Sequence, residues 1–297
     1  MEYSIEVKNL NQSFKDKIIC DDVSINFEKD KIYGLLGKNG TGKTTLINMI
    51  AYQLIARSGE IKVFGKSPKE DISVLDNLCV VREKDIIKDF HTECKVKEVF
   101  RFYSYFFSNY DYELQDKLCK LFEINPKLKY KKLSRGMKTS VSNIIGICSN
   151  APITIFDEPT IGLDAVNRQE FYNVLLESYM KKNRTVIIAT HHIKDVEELL
   201  EKVVVIKDGK VEVDDYIEKV KEKSYYISGN KDDLSKFSIL KDKYPLKSFG
   251  NTVMYYYYGD IPENDMRLIE SLDIEIENMK LEELFVNINK KEVCLYE

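Results

Sequence analysis

The sequence predicts an α/β core built on a parallel sheet, with an inserted α-helical subdomain and a small C-terminal α+β appendix. Three observations predict it. Residues 31–36 (KIYGLL) form a short apolar run that ends in a glycine-rich turn, and residues 44–55 (TTLINMIAYQLI) follow with helical length and no breaker. Residues 153–156, 185–189 and 203–206 are short, apolar and β-branched, as strands buried on both faces are. Between these sets, over about residues 84–150, apolar residues recur at helical spacing instead.

The remaining elements follow in order. Alternation in 4–10 (SIEVKNL) and 22–28 (DVSINFE) reads as two early strands with a turn around 15–17. Residues 96–107 and 112–122 read as helices, and Pro126 separates them from another helix after Leu133. The aromatic run 99–107 (VFRFYSYFF) is read as core of this helical block, the alternative being a docking wall for a partner's helix. A composition shift near 215 divides the chain into a first domain over 1–215 and an accessory domain over 216–297. The accessory part carries Tyr-rich alternating segments at 224–228 and 252–258 and ends in an acidic amphipathic helix over 281–289. Adjacent tyrosines in Tyr255–Tyr258 must face both sides of a strand, which is read as an amphipathic edge, with a dimer contact as the alternative.

Composition narrows the function. With 49 acidic against 45 basic side chains and a net charge of −4, no nucleic acid partner is expected. Hydrophobic residues at 43% supply a core. No stretch approaches the ~20 consecutive apolar residues that span a bilayer, and the start MEYSIEVKNL lacks the pattern of a signal peptide. A soluble, cytoplasmic chain is expected. The six cysteines show no C-x-x-C spacing and the three histidines complete no zinc set, so free thiols in a reducing compartment are expected.

Three motifs carry chemistry. Gly37-Lys38-Asn39-Gly40-Thr41-Gly42-Lys43-Thr44 fits G-x-x-x-x-G-K-[ST] and lies between a predicted strand and a predicted helix. Its glycines let successive N–H groups surround phosphates, the helix start favours their charge, Lys43 reaches the β/γ-phosphates, and the Thr44 hydroxyl binds Mg²⁺. Residues 153–158 (ITIFDE) are an apolar strand that ends in two carboxylates, which need partners or tasks. Asp157 is assigned to Mg²⁺, and Glu158 to orienting and deprotonating an attacking water. Residues 133–137 (LSRGM) precede a long helix: Ser134 suits its N-cap, and Gly136 permits close approach of another backbone.

Together these residues resemble the ATP-binding subunits of ABC transporters over about residues 1–215. Residues 37–44 correspond to the Walker A loop of a P-loop NTPase, 153–158 to Walker B, and 133–137 to the signature in its "LS-basic-GM" form. Residues 159–164 (PTIGLD) match the D-loop, and His191 lies where the family keeps its switch histidine. The resemblance implies catalytic roles for Glu158, His191 and Lys43. It implies nucleotide contacts from Phe14 (stacked on adenine), Gly37, Asn39, Gly40, Thr41, Gly42, Lys43, Thr44, Thr45, Ser134, Gly136 and Asp164. Mg²⁺ is implied at Thr44 and Asp157. Where the family has its Q-loop glutamine the chain reads Val80-Val81-Arg82-Glu83, which makes Glu83 the candidate third group near the metal. The signature lacks the common second glycine and the final glutamine, having Arg135 and Met137, while Ser134 and Gly136 persist.

The family's mechanism places each ATP between Walker A of one subunit and the signature of another. The implied protein therefore hydrolyses ATP in a homodimer or heterodimer to drive translocation, of exporter type, by separate membrane permease subunits that hold it at the inner face of the membrane. The alternative is a non-transport ABC ATPase in translation, DNA repair or cluster assembly. Translation members carry two cassettes per chain and repair members a long coiled coil, and neither fits this sequence.

Overall fold

The computed structural model describes residues 2–15, 17–82, 93–241 and 243–290. It divides into two compact units, Met1–Asp214 and Asp215–Glu297.

The first unit holds two sheets. Strands β1 (Tyr3–Phe14), β2 (Lys17–Glu28) and β4 (Ser58–Val63) pair antiparallel in the order β2-β1-β4. The second sheet is built from β3 (Ile32–Leu36), β5 (Leu78–Val81), β6 (Ile153–Asp157), β7 (Thr185–Thr190), β8 (Lys202–Lys207) and β9 (Lys210–Tyr216). Its order is β5-β6-β7-β3-β8-β9, and β5 through β8 are parallel. Every residue of β3 and β7 is buried, which explains their unbroken apolar sequences. Asp208 and Gly209 both have positive φ and form the tight turn that returns the chain from β8 into β9.

Helix α1 (Lys43–Ile50) packs Leu46, Ile47 and Ile50 into a core shared with Leu35, Ile155, Ile187 and Val204 of the parallel sheet and Ile5, Ile25 and Phe27 of the antiparallel one. This helix ends at Ile50, short of the residue 55 expected from the sequence. Tyr52 adopts φ +55°, and the Gln53 and Leu54 N–H groups turn back to the Asn48 carbonyl at 2.8 and 3.2 Å. That closure satisfies the last carbonyls without a glycine, so no breaker marks it.

Helices α2 (Val96–Ser104), α3 (Tyr112–Leu121) and α4 (Arg135–Cys148) form the helical block, and α5 (Ala165–Lys181) follows β6. Helix α4 reaches the sheet through Gly146, where a Cβ would stand 2.6 Å from the Phe156 ring. The run 99–107 is only half core: Val99 and Phe100 are buried, whereas Phe102, Tyr105 and Phe106 are 39%, 71% and 61% exposed.

In the second unit, α6 (Ile217–Glu222) leads into β10 (Ser224–Asn230), α7 (Lys231–Leu234), β11 (Lys247–Phe249), β12 (Thr252–Tyr258), α8 (Glu263–Ser271), β13 (Glu275–Asn278) and α9 (Leu281–Ile288). The sheet is wholly antiparallel in the order β11-β12-β10-β13. A βαββαβ sequence with this strand order is the ferredoxin-like arrangement. Ile227, Leu234, Phe237, Leu240 and Val253 make its core, and Tyr225, Tyr255, Tyr257, Leu268 and Ile276 pack against it. Strand β12 pairs with β10 along its whole length but with β11 only over residues 252–254, so among the described residues Tyr255–Tyr258 have a strand on one side alone, with Tyr255 and Tyr257 packed on the core.

Candidate active site

The site lies at the carboxyl ends of β3, β6 and β7, where open parallel sheets place their ligands. Leu36 pairs with Thr190 and Asp157 with Ala189, so the three strands finish level. The loop leaving β3 delivers residues 37–44 to that rim. Gly40 and Gly42 have φ +83° and +108°, conformations that L side chains rarely take. A Cβ on Gly37 would lie 2.5 Å from Thr41 Oγ1 and 2.8 Å from the Ile206 carbonyl. The glycine pattern is thus required by the backbone, and it leaves the N-terminal N–H groups of α1 facing the loop.

Lys43 is 5% exposed, and its Nζ donates to the carbonyls of Gly37 and Lys38 at 2.5 and 3.2 Å. Burial pulls its pKa below the ordinary lysine value, opposed by the charges of Glu158 and Asp157. Thr44 Oγ1 donates to Asp157 Oδ2 at 3.0 Å, which joins the loop to β6. Asn39 and Gly40 are exposed at the loop's tip, and Thr45 is half-buried beside Thr44.

The two carboxylates diverge. Burial pushes the Asp157 carboxyl above its usual range despite the opposing Arg82 guanidinium and Thr44 hydroxyl. Glu158 sits at φ +55°, its N–H bonded to the Ala189 carbonyl at 2.8 Å. That left-handed turn costs about 1 kcal/mol for a non-glycine residue, and it aims the side chain away from Asp157's partners. Glu158 Oε1 lies 2.8 Å from His191 Nδ1 and 3.9 Å from Lys43 Nζ, and Oε2 accepts from Thr190 Oγ1 at 3.3 Å. A carboxylate only accepts, so the His191 Nδ1–H donates. His192 stacks on His191 with ring centroids 4.0 Å apart and takes no part in that contact.

Ser134 caps α4 and accepts from the Met137 N–H at 3.2 Å. The start of this helix is fastened to the loop after β6. Thr139 Oγ1 donates to the Ile161 carbonyl and Asn143 Nδ2 to the Pro159 carbonyl, both at 2.7 Å. A Cβ on Gly136 would lie 2.3 Å from the Gly162 carbonyl oxygen. Gly136→Ala is therefore expected to destabilise the unit by about 1–3 kcal/mol, read as a lower melting temperature. An unshifted melt would show that this contact is slack. Asp164 caps α5, accepting from the Asn167 N–H and Nδ2 at 2.8 Å each, and these bonds hold its carboxyl below the usual range.

The structure thus brings Lys43, Thr44, Asp157, Glu158 and His191 together within one chain. The side-chain bonds of Ser134 and Asp164 run elsewhere, to the first turns of α4 and α5. Phe14 ends β1 and is 49% exposed. Glu83 lies outside the described residues. One participant was passed over in the sequence: Arg82, whose Nε lies 2.9 Å from Asp157 Oδ2 with the two side chains 10% and 6% exposed. The only signal was an arginine closing an apolar strand.

A glycine loop, a hydroxyl, a lysine and two strand-end carboxylates at one rim define a P-loop nucleotide site. Comparison with known proteins agrees. A family model described as ABC transporter matches residues 20–161. The ABC transporter ATP-binding protein YtrB of Bacillus subtilis is 27% identical over 69% of this chain and 69% of its own. An uncharacterized ABC transporter ATP-binding protein of Methanocaldococcus jannaschii is 31% identical over 76% of this chain and 83% of its own. Among solved structures, a dimeric bacterial ABC transporter cassette superimposes with a TM-score of 0.62 at 19% identity, covering 71% of this chain and 98% of that one. The chain belongs to the ATP-binding proteins of ABC transporters. It is an ATP-hydrolysing subunit, and the non-transport alternative falls away.

Proposed function

We propose that residues 1–215 form the ATPase cassette, that two cassettes pair around ATP, and that their separation after hydrolysis drives transport through membrane subunits. The observation that carries this reading is the Glu158 carboxylate, held between His191 and Lys43 at the rim of the phosphate loop. Glu158 takes a proton from the attacking water, His191 orients Glu158 and senses the γ-phosphate, and Lys43 turns from its loop carbonyls to the β/γ-phosphates. The loop amides of Gly37, Asn39, Gly40, Thr41, Gly42 and Thr45 surround the triphosphate, and exposed Phe14 stacks on the base.

The donor set at the rim suits Mg²⁺. Asp157 Oδ1 is buried with no hydrogen-bond partner among the described residues, and the Thr44 hydroxyl lies 3.0 Å from Oδ2. These are hard oxygen donors of the kind Mg²⁺ takes alongside phosphates. Thr44 and Asp157 would hold the ion, and Glu83 is the further candidate. When bound, Mg²⁺ neutralises charge on the β- and γ-phosphate oxygens.

Ser134 and Gly136 are assigned to the γ-phosphate of the opposite chain, with Asp164 at the seam between chains. The N-terminus of α4 there favours anions. The dimeric cassette supports pairing in this fold. Ser134→Arg is expected to leave ATP binding intact and to abolish the ATP-dependent dimer. Light scattering with and without ATP checks it; a dimer that survives sinks this arrangement.

No described helix is long and apolar enough to cross a membrane. We assign membrane attachment to a groove of about 320 Å³ whose lining includes Gln53, Leu75, Val80, Tyr103 and Phe106. The exposed rings of Tyr105 and Phe106 beside it suit an apolar helix of a permease subunit. Phe106→Glu should leave ATPase activity of the isolated chain unchanged and lower recovery of the chain on permease-containing membranes. Undiminished recovery would reject this surface. Transport is read as outward, on the resemblance of residues 133–137 to exporter-type signatures. Residues 216–297 are assigned an accessory role at the pair of cassettes.

A further inference from the structure

Asp157 faces a cation already built into the chain. The Arg82 Nε lies 2.9 Å from Asp157 Oδ2, the same oxygen that accepts the Thr44 hydroxyl. The guanidinium is also held from the other side, with Nη1 2.5 Å from Asn48 Oδ1 and 3.5 Å from Gln53 Oε1. Asn48 lies on α1, the helix that carries Lys43 and Thr44. Arginine stays charged at any working pH, so it cannot leave this carboxylate by losing its proton. It can only move, and the amide oxygens of Asn48 and Gln53 are neutral acceptors that keep it hydrogen-bonded when it does.

We propose that Arg82 is an internal competitor of the divalent cation: it holds the charge of Asp157 until Mg²⁺ arrives with ATP, and so sets the metal affinity of the site. The proposal rests on the reading of Thr44 and Asp157 as the Mg²⁺ holders. Two cations on one buried carboxylate repel each other, so Mg²⁺ at the unpartnered Oδ1 and Arg82 at Oδ2 each weaken the other's hold on Asp157. Without metal, the arginine spares a buried carboxylate the cost of an uncompensated charge. With metal, the exchange of partners lowers the net gain from binding Mg²⁺. Arg82 acts through Asp157 and is a positioning residue.

The measurement is the ratio of dissociation constants in EDTA and in saturating Mg²⁺ for a non-hydrolysable ATP analogue, obtained by calorimetry on the full chain. By linkage this ratio reports the coupling between metal and nucleotide. Arg82→Gln is expected to raise it about tenfold, the scale on which one neighbouring charge changes an ionic equilibrium. Arg82→Lys keeps the charge and should stay near the wild-type ratio, so a loss caused by misfolding is separated from a loss of competition. Asp157→Asn should bring the ratio close to one. A ratio unchanged or lowered in Arg82→Gln, with Asp157→Asn still abolishing coupling, overturns the competition and leaves the metal site standing. If Asp157→Asn keeps the wild-type ratio, the metal assignment itself fails, and the proposal with it.

Discussion

Replacement of Glu158 by glutamine is expected to lower ATP turnover by about a hundred- to ten-thousand-fold, the range for loss of a general base. The substitution keeps size and shape, and a glutamine oxygen can still accept from His191 Nδ1 at the present 2.8 Å. Removing the charge beside Lys43, 3.9 Å away, leaves that ammonium free to face phosphate. ATP should therefore bind as before, and the nucleotide-bound dimer should persist because its γ-phosphate is not removed. Phosphate release measures the first effect and size-exclusion chromatography in ATP the second. A variant with wild-type turnover would remove Glu158 from the base role.

The second large effect is expected at Lys43. Its side chain is nearly wholly buried, yet its bonds are to carbonyls of its own loop and its nearest carboxylate is 3.9 Å away. Because burial already works against its charge, Lys43→Ala removes an unfavourable term in the folded chain and should not unfold it. The cost appears on binding. A charge-assisted hydrogen bond contributes about 1.5–3 kcal/mol, so the ATP dissociation constant should rise by roughly tenfold to a hundredfold. Calorimetric titration checks it, and an unchanged constant would take Lys43 out of the phosphate site.

Much of this site was legible because its constraints are local. The loop at 37–44 is written by backbone conformation: Gly40 and Gly42 occupy positive φ, and the motif spacing follows from that geometry. The strand at 153–156 announces its burial by composition, so the carboxylates after it stand out. What escaped depends on partners distant in sequence. Arg82 meets Asp157 from the end of another strand, and nothing near residue 82 signals a carboxylate. The tyrosines at 255–258 alternate as read, with Tyr255 and Tyr257 on the core, but alternation is silent on the short β11 that pairs with residues 252–254 just before them. Helix α1 stops at a left-handed tyrosine, a termination that no composition rule marks. Aromatic content alone likewise could not divide 99–107 into buried and exposed halves.

Gly136 and Gly162 meet backbone to backbone, and Thr139 and Asn143 fasten the same helix to the carbonyls of Ile161 and Pro159. Those carbonyls belong to the segment that leaves Glu158 directly. On the proposed pairing, the segment that leaves Glu158 in each chain is riveted to the helix start assigned to its neighbour's nucleotide. News of hydrolysis at one site then needs no long route to the other, because it is already written on the shared face. The two sites are expected to fire in a correlated way, visible as a sigmoidal dependence of ATPase rate on ATP concentration.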